Sequence, residues 1–165
     1  MPNVFYLDAS ALAKRYVPEP GSLIVDHLFA QAPASRLIVL YLGIAETASI
    51  LLRKTNAKLL SSARYTQALG ELGAEIINDS SLRKPTATND LVNAALLLIR
   101  QHSINATDAV LLRSALDIAA ALRKVGDDLV LVASDQRLLR AAQAEGLPTF
   151  NPETQSTADL DLLLI

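Results

Sequence analysis

Two kinds of hydrophobic pattern alternate along this chain. Short apolar runs of about five residues stand apart, and between them apolar residues return every three or four positions. The first pattern predicts buried strands and the second amphipathic helices. Asn3-Val4-Phe5-Tyr6-Leu7 predicts a strand ended by Asp8. Ala9 to Tyr16 predicts a short helix, broken by Pro18 and the Pro20-Gly21 pair. Ser22 to Gln31 follows as an amphipathic helix, then Arg36 to Leu40 as the second strand. Leu42 to Lys54 and Lys58 to Leu72 predict two helices, the second stopped at Gly73. Glu75-Ile76-Ile77 predicts a third, short strand, and Asn78 to Ala87 a loop. Asn89 to His102 and Ala106 to Lys124 predict helices, and Leu129 to Ala133 (LVLVA) a fully buried strand. Ser134 is placed to cap a helix over Gln136 to Glu145, which Gly146 ends. Pro148-Thr149-Phe150 predicts a last strand, and Asn151 to Ile165 a polar segment running into an apolar end, Leu160 to Ile165, expected to dock on the core.

The expected order is β-α-α-β-α-α-β-α-α-β-α-β. Strands separated by helices imply parallel pairing with helices on both faces. No repeat or low-complexity linker divides the chain, so one α/β domain is expected over residues 1–152, with a C-terminal tail at 153–165.

Composition narrows the chemistry. The 165 residues are 51% hydrophobic, enough for a substantial core. Cysteine is absent and there are two histidines, His27 and His102, so thiolate sites, disulfides and His-rich metal centres are excluded or disfavoured. No charge-free stretch exceeds nine residues, too short for a membrane helix. The start of the chain has no basic segment before its apolar run, which argues against a secretory signal and for a cytoplasmic protein. The formal charge of −2 argues against a plain nucleic-acid coat. It is compatible with a nuclease whose acids hold metal ions. Aromatics are only 4%, so a base-stacking platform is not expected.

Four acids stand where such folds build sites. In open parallel sheets, ligands bind beyond the carboxyl ends of the strands. Asp8 directly follows strand one. Asp135 comes two positions after the LVLVA strand, and Asp108 lies in the first turn of a helix able to point at the same edge. Glu46 interrupts the mostly apolar GIAETASIL. Taken singly, Asp8 and Asp135 read as helix caps, Asp108 as a first-turn acid favoured by the helix dipole, and Glu46 as a solvated helix residue. Taken together they form a carboxylate cluster, and bunched carboxylates are stabilised by a hard divalent cation such as Mg²⁺ or Mn²⁺. Such a centre can activate water and stabilise the leaving oxygen of a phosphodiester.

These segments resemble a known family. Val4 to Leu12 (VFYLDASAL), Leu42 to Leu51 (LGIAETASIL), Ala106 to Leu112 (ATDAVLL) and Leu129 to Leu139 (LVLVASDQRLL) are similar to the four acidic motifs of PIN domains. Ala141 to Pro152 (AAQAEGLPTFNP) is similar to their ending. The resemblance implies a three-layer α/β/α Rossmann-like fold with a central, mostly parallel sheet. It also implies Mg²⁺-dependent hydrolysis of RNA phosphodiesters, with Mn²⁺ as a substitute. By position, Asp8, Glu46, Asp108 and Asp135 would form the catalytic, metal-holding pocket, with Asp8 and Asp108 the most direct ligands. Glu46 would ligate or position water, and Asp135 would act through a second metal or a water. Ser10 would bond the Asp8 carboxylate or a water at the metal. Ser134 matches a polar position near the last acid. Short, single-domain bacterial members are commonly VapC-type toxins, which implies a homodimer and a small cognate antitoxin covering the pocket. The polar stretch at the end of Asn56 to Thr88 and Arg113 in the helix after Asp108 depart from that pattern.

Basic residues beside the acids are candidate RNA contacts: Lys14 and Arg15 after Asp8, and Arg137 and Arg140 after Asp135. Arg53, Lys54, Lys58 and Arg64 form a looser basic region, either an RNA rim or a solvated face. The alternative to an enzyme is a non-catalytic RNA- or protein-binding module on the same fold. The absence of GxxxxGK[ST] and GxGxxG argues against nucleotide-binding enzymes of those kinds. Ser10 stands where an aspartyl-phosphate phosphatase would need its second Asp.

Overall fold

The computed structural model describes residues 3–165; Met1 and Pro2, the first two residues of the expected domain, lie outside the described residues. Four parallel strands form one sheet in the order β2-β1-β3-β4: β1 (Val4–Leu7), β2 (Leu37–Val39), β3 (Leu129–Val132) and β4 (Thr149–Phe150). Strand residues alternate between two cores, as the pleat dictates. Phe5, Leu7, Leu37, Val39, Val130 and Val132 face one layer. That layer contains α1 (Ala9–Leu12), α2 (Ser22–Gln31), α3 (Tyr41–Asn56), α4 (Ser62–Leu72) and the C-terminal α8 (Thr157–Leu164). Tyr6, Ile38, Leu129 and Leu131 face the other, built on α5 (Asn89–His102), α6 (Ala106–Arg123) and α7 (Gln136–Ala144). The fold is therefore three-layered, α/β/α, as expected.

The chain places β2 on one side of β1 and β3 on the other. The connections leaving β1 and β3 thus diverge at their carboxyl ends, the crevice where such sheets bind ligands. Asp8 sits at that point, its amide donating to Val132 O at 2.9 Å.

Three local expectations are corrected. Glu75-Ile76-Ile77 is not a strand: Gly73–Ile77 continues α4 as a π-helical turn, with Ile76 fully buried. Gly73 keeps helical angles, φ −61° and ψ −49°, so it does not stop the helix. The edge of β2 is covered instead by the following loop. There Arg83 bridges Ile38 in parallel, its carbonyl accepting from Val39 N and its amide donating to Leu37 O. The second correction concerns the start of α4. Lys58 adopts a left-handed φ of 60°, and the helix begins only at Ser62, capped by Ser61. The third is the cap of α7, which is Asp135 rather than Ser134.

The C-terminal segment forms α8, which opens with a Ser156–Asp159 capping box and packs against α2 through the fully buried Leu160. Arg36 Nη1 and Asn3 Nδ2 donate to the carbonyls of Leu164 and Leu163 at 3.1 and 2.9 Å. Upstream, Pro152 lies against Gly21, whose φ is +90°. A β-carbon at Gly21 would stand 2.7 Å from the Pro152 carbonyl oxygen, so only glycine fits there.

Candidate active site

Asp8, Glu46, Asp108 and Asp135 line one cavity of about 540 Å³, together with Ser10, Ser49, Arg53 and the apolar Leu42 and Ile50. Each acid belongs to a different helix, Glu46 and Asp108 both within the long connection from β2 to β3. Asp8 is the N-cap of α1, Glu46 lies in the second turn of α3, Asp108 in the first turn of α6, and Asp135 caps α7. The capping readings are therefore correct, and the same carboxylates still converge.

Asp8, Asp108 and Asp135 are held by short-range hydrogen bonds. Asp8 Oδ2 accepts from Ser10 Oγ at 2.6 Å and from Ser10 N at 3.1 Å. Ser10 Oγ in turn accepts from Ser134 N at 2.9 Å, so the backbone after β3 orients the hydroxyl toward Asp8. Asp108 Oδ2 accepts from Asn105 Nδ2 at 2.8 Å, while Asn105 Oδ1 accepts from Asp108 N. The Thr107 side chain acts on Glu46 to lower its carboxyl. Asp135 Oδ1 accepts from the amides of Arg137 and Leu138 at 2.8 and 3.2 Å.

The electrostatics follow from burial and crowding. Burial pushes the Asp8 carboxyl above its usual range against the hydrogen bonds from Ser10 and Ala9, and the Asp135 charge adds to the rise. Asp108 is pushed up to about 7, first by burial and then by the charges of Asp8, Asp135 and Glu46. Glu46 is raised by burial and by Asp8. Asp8, Glu46 and Asp108 are thus each raised by the charge of at least one other acid of the set. Arg53, two turns after Glu46 on α3, is the arginine that lines the cavity, and its charge lowers the Glu46 carboxyl.

The donor chemistry suits a hard divalent cation: carboxylate oxygens, among them those of the buried Asp8 and Asp108, and no softer ligand. Asp108 Oδ1 and Asp135 Oδ2 carry no hydrogen bond among the described residues. Among those residues, no three acidic or histidine side chains stand close enough together, as placed, to hold a metal ion. The arrangement is an open set, of the kind that Mg²⁺ satisfies with a few carboxylates and several waters.

Of the acids, hydroxyls and flanking basic residues expected at the site, the cavity collects five: Asp8, Ser10, Glu46, Asp108 and Asp135. Ser134 contributes its amide, while its hydroxyl is buried without a hydrogen-bond partner. Lys14 is corrected. It is 3% exposed and bound to Glu153 at 2.6 Å and Glu19 at 3.2 Å, so no substrate phosphate reaches it. Arg15 is corrected as well: it pairs with Asp26 at 2.7 Å and Glu75 at 3.0 Å and lies over the Phe29 ring. Arg137 is exposed but opens on a neighbouring cavity. The looser basic region divides. Arg53 joins the site, Lys54 pairs with Glu19, and Arg64 binds Glu71 and the Tyr16 carbonyl. Asn105 and Thr107 were missed. The Asn-x-x-Asp spacing of a helix start is the signal that marks Asn105.

No family model matches the chain, and no curated protein matches it in sequence. Solved structures do match in shape. PAE2754 from Pyrobaculum aerophilum superposes with a TM-score of 0.62 at 18% identity, over 98% of this chain and 99% of that one. VapC20 from Mycobacterium tuberculosis, described as a sarcin-ricin loop cleaving toxin, gives 0.61 at 18% identity, over 92% and 99%. FitAB bound to a DNA fragment gives 0.64 at 16% identity, over 93% and 98%. Identities this low speak to architecture, and on that level the agreement spans nearly every residue: the chain has the three-layer α/β/α fold of a PIN domain.

Proposed function

We propose that this protein is a metal-dependent endoribonuclease that hydrolyses RNA phosphodiester bonds, acting as the toxin of a toxin–antitoxin pair. The observation that carries the reading is the convergence of four carboxylates, carried at the starts of four different helices, on one cavity beyond the central strands. Burying mutually repelling charges disfavours the folded state, and such an arrangement persists where a cation offsets it. The structural likeness to VapC20 supports RNA as substrate.

Asp8 and Asp108 would hold a divalent cation, with Glu46 and Asp135 completing the set. When bound, Mg²⁺ or Mn²⁺ neutralises the acids and the phosphodiester and polarises the phosphoryl oxygen. Ser10 fixes the Asp8 carboxylate through a short hydrogen bond, and Asn105 fixes that of Asp108. Glu46, half-buried beside Thr107, receives a proton from the attacking water while the water oxygen bonds to phosphorus. The bond to the leaving oxygen breaks, and that oxygen is protonated from solvent. Arg53 at the cavity wall attracts the anionic strand.

The partners proposed are RNA, a cognate antitoxin protein covering this cavity, and a second copy of the chain in a homodimer. Exposed Tyr41, Leu42 and Leu52 along α3 give the antitoxin an apolar footing beside the acids. The place of action proposed is the cytoplasm; among the described residues no helix is long and apolar enough to cross a membrane.

Calorimetric titration with Mn²⁺ tests the metal centre. Wild-type protein is expected to bind, and Asp8→Asn to weaken binding at least tenfold while keeping its circular dichroism. A wild-type protein that takes up no Mn²⁺ contradicts the proposal.

A further inference from the structure

A second cavity, of about 420 Å³, opens between the end of α5 and the outer face of α7, lined by His102, Ser103, Arg137, Arg140 and Ala141. It flanks the acidic cavity through two short pieces of chain. Ser103 precedes Asn105, the residue that holds Asp108, and Arg137 donates its amide to Asp135. The two cavities therefore share the α5–α6 turn and the start of α7.

Arg15, Arg64, Arg113 and Arg123 each bind a carboxylate. Among the described residues, Arg36, Arg53, Arg83, Arg100, Arg137 and Arg140 form no such ion pair, and of these Arg137 and Arg140 line this cavity together. They lie three positions apart on α7, hence on one helix face. Of the acids capping that helix, Asp135 lines the acidic cavity and Glu145 is occupied by His102 Nε2 at 2.6 Å. Two unpaired guanidiniums facing one space repel each other until an anion lies between them, and their forked donors match phosphate oxygens. No aromatic face other than the His102 ring lines the cavity, so it is built to hold a backbone rather than to read bases.

We propose that this cavity binds backbone phosphate of the RNA strand next to the acidic cleft, with Arg137 and Arg140 as the binding side chains. The identity of the strand rests on the nuclease reading; the anion site itself rests on the unpaired arginines. It sets the path of the substrate: the strand leaves the acids over the start of α7 and is gripped one step beyond the cut.

The test is fluorescence anisotropy with a short labelled single-stranded RNA of mixed sequence, over a salt series, in the full-length Asp108→Asn protein to prevent cleavage. In that background Arg137→Ala/Arg140→Ala is expected to weaken binding at least tenfold. It should also flatten the log K against log salt slope by about 0.7 for each phosphate lost. Arg113→Ala/Arg123→Ala, which removes the same charge elsewhere, should change both far less. Equal effects of the two double variants would overturn the site, leaving only general attraction. Unchanged RNA binding with lost binding of polyglutamate would assign the cavity to an acidic protein and overturn it too. Cleavage by the otherwise wild-type chain separates the two readings. A raised KM with kcat retained in Arg137→Ala/Arg140→Ala supports both. RNA binding that depends on these arginines in a protein that cuts nothing sinks the nuclease and leaves the anion site standing.

Discussion

Asp108 is where burial and repulsion meet most strongly. Its carboxyl is 9% exposed and faces three other acids, so its proton is held up to about pH 7 rather than near 3.8. The sign of the linked stability follows. Below about pH 4 the group is protonated in both states and costs nothing. As pH rises toward 7 the unfolded chain ionises while the folded chain does not, so the folded state loses stability until the shift is complete. Asp8, also raised, acts in the same direction. Metal-free protein in EDTA should therefore melt at a higher temperature at pH 5 than at pH 8. Asp108→Asn should reduce that difference by raising the melting temperature at pH 8, and Mn²⁺ should restore the wild type chiefly at pH 8. Thermal unfolding by circular dichroism reads all three. A wild-type melting temperature that climbs from pH 5 to pH 8 without metal would contradict the crowding of these acids.

At the scale of elements, α7 shows how one residue serves fold and site together. Asp135 caps the helix by accepting two amide hydrogens and also lines the acidic cavity. Asp135→Ala should lose the cap, costing about 1 kcal/mol in denaturant unfolding, together with its share of activity. Asp135→Asn keeps a capping oxygen, so it should retain stability while activity falls. Equal stability losses would mean that the charge, not the cap, holds α7. The same double use made Asp135 and Asp8 legible as caps and as site acids alike, because each directly follows a recognisable apolar strand. The π-helical turn was not legible. Ile76-Ile77 has the branched side chains of a strand, but α4 runs on through Gly73, and Ile76 packs in the core while Arg83 takes the sheet edge. Lys14 and Arg15 misled for another reason. Beside Asp8 they look like a phosphate rim, yet their partners Glu153 and Glu75 lie 139 and 60 positions away. Local pattern carries no information about ion pairs of that span. Asn105 and Thr107, which act on two of the acids, are short polar residues whose role appears only when α3, α6 and their caps meet.

For the whole molecule, the topology explains why so dispersed a set of residues becomes one site. With β1 and β3 adjacent at the centre of a parallel sheet, the segments after both strands open on the same edge, and α3 and α6 bring Glu46 and Asp108 to it. Each of the two cores buries one face of the sheet, so this edge can carry repelling charge while the layers on either side hold it in place. The most direct measurement is cleavage of a mixed pool of structured RNA by the purified full-length protein, in Mg²⁺, in Mn²⁺ and in EDTA, beside Asp108→Asn prepared identically. Discrete cuts with either metal, absent in EDTA and in the variant, are the predicted result. Cuts that persist in EDTA, or equally in Asp108→Asn, would contradict a metal-dependent nuclease centred on these four acids.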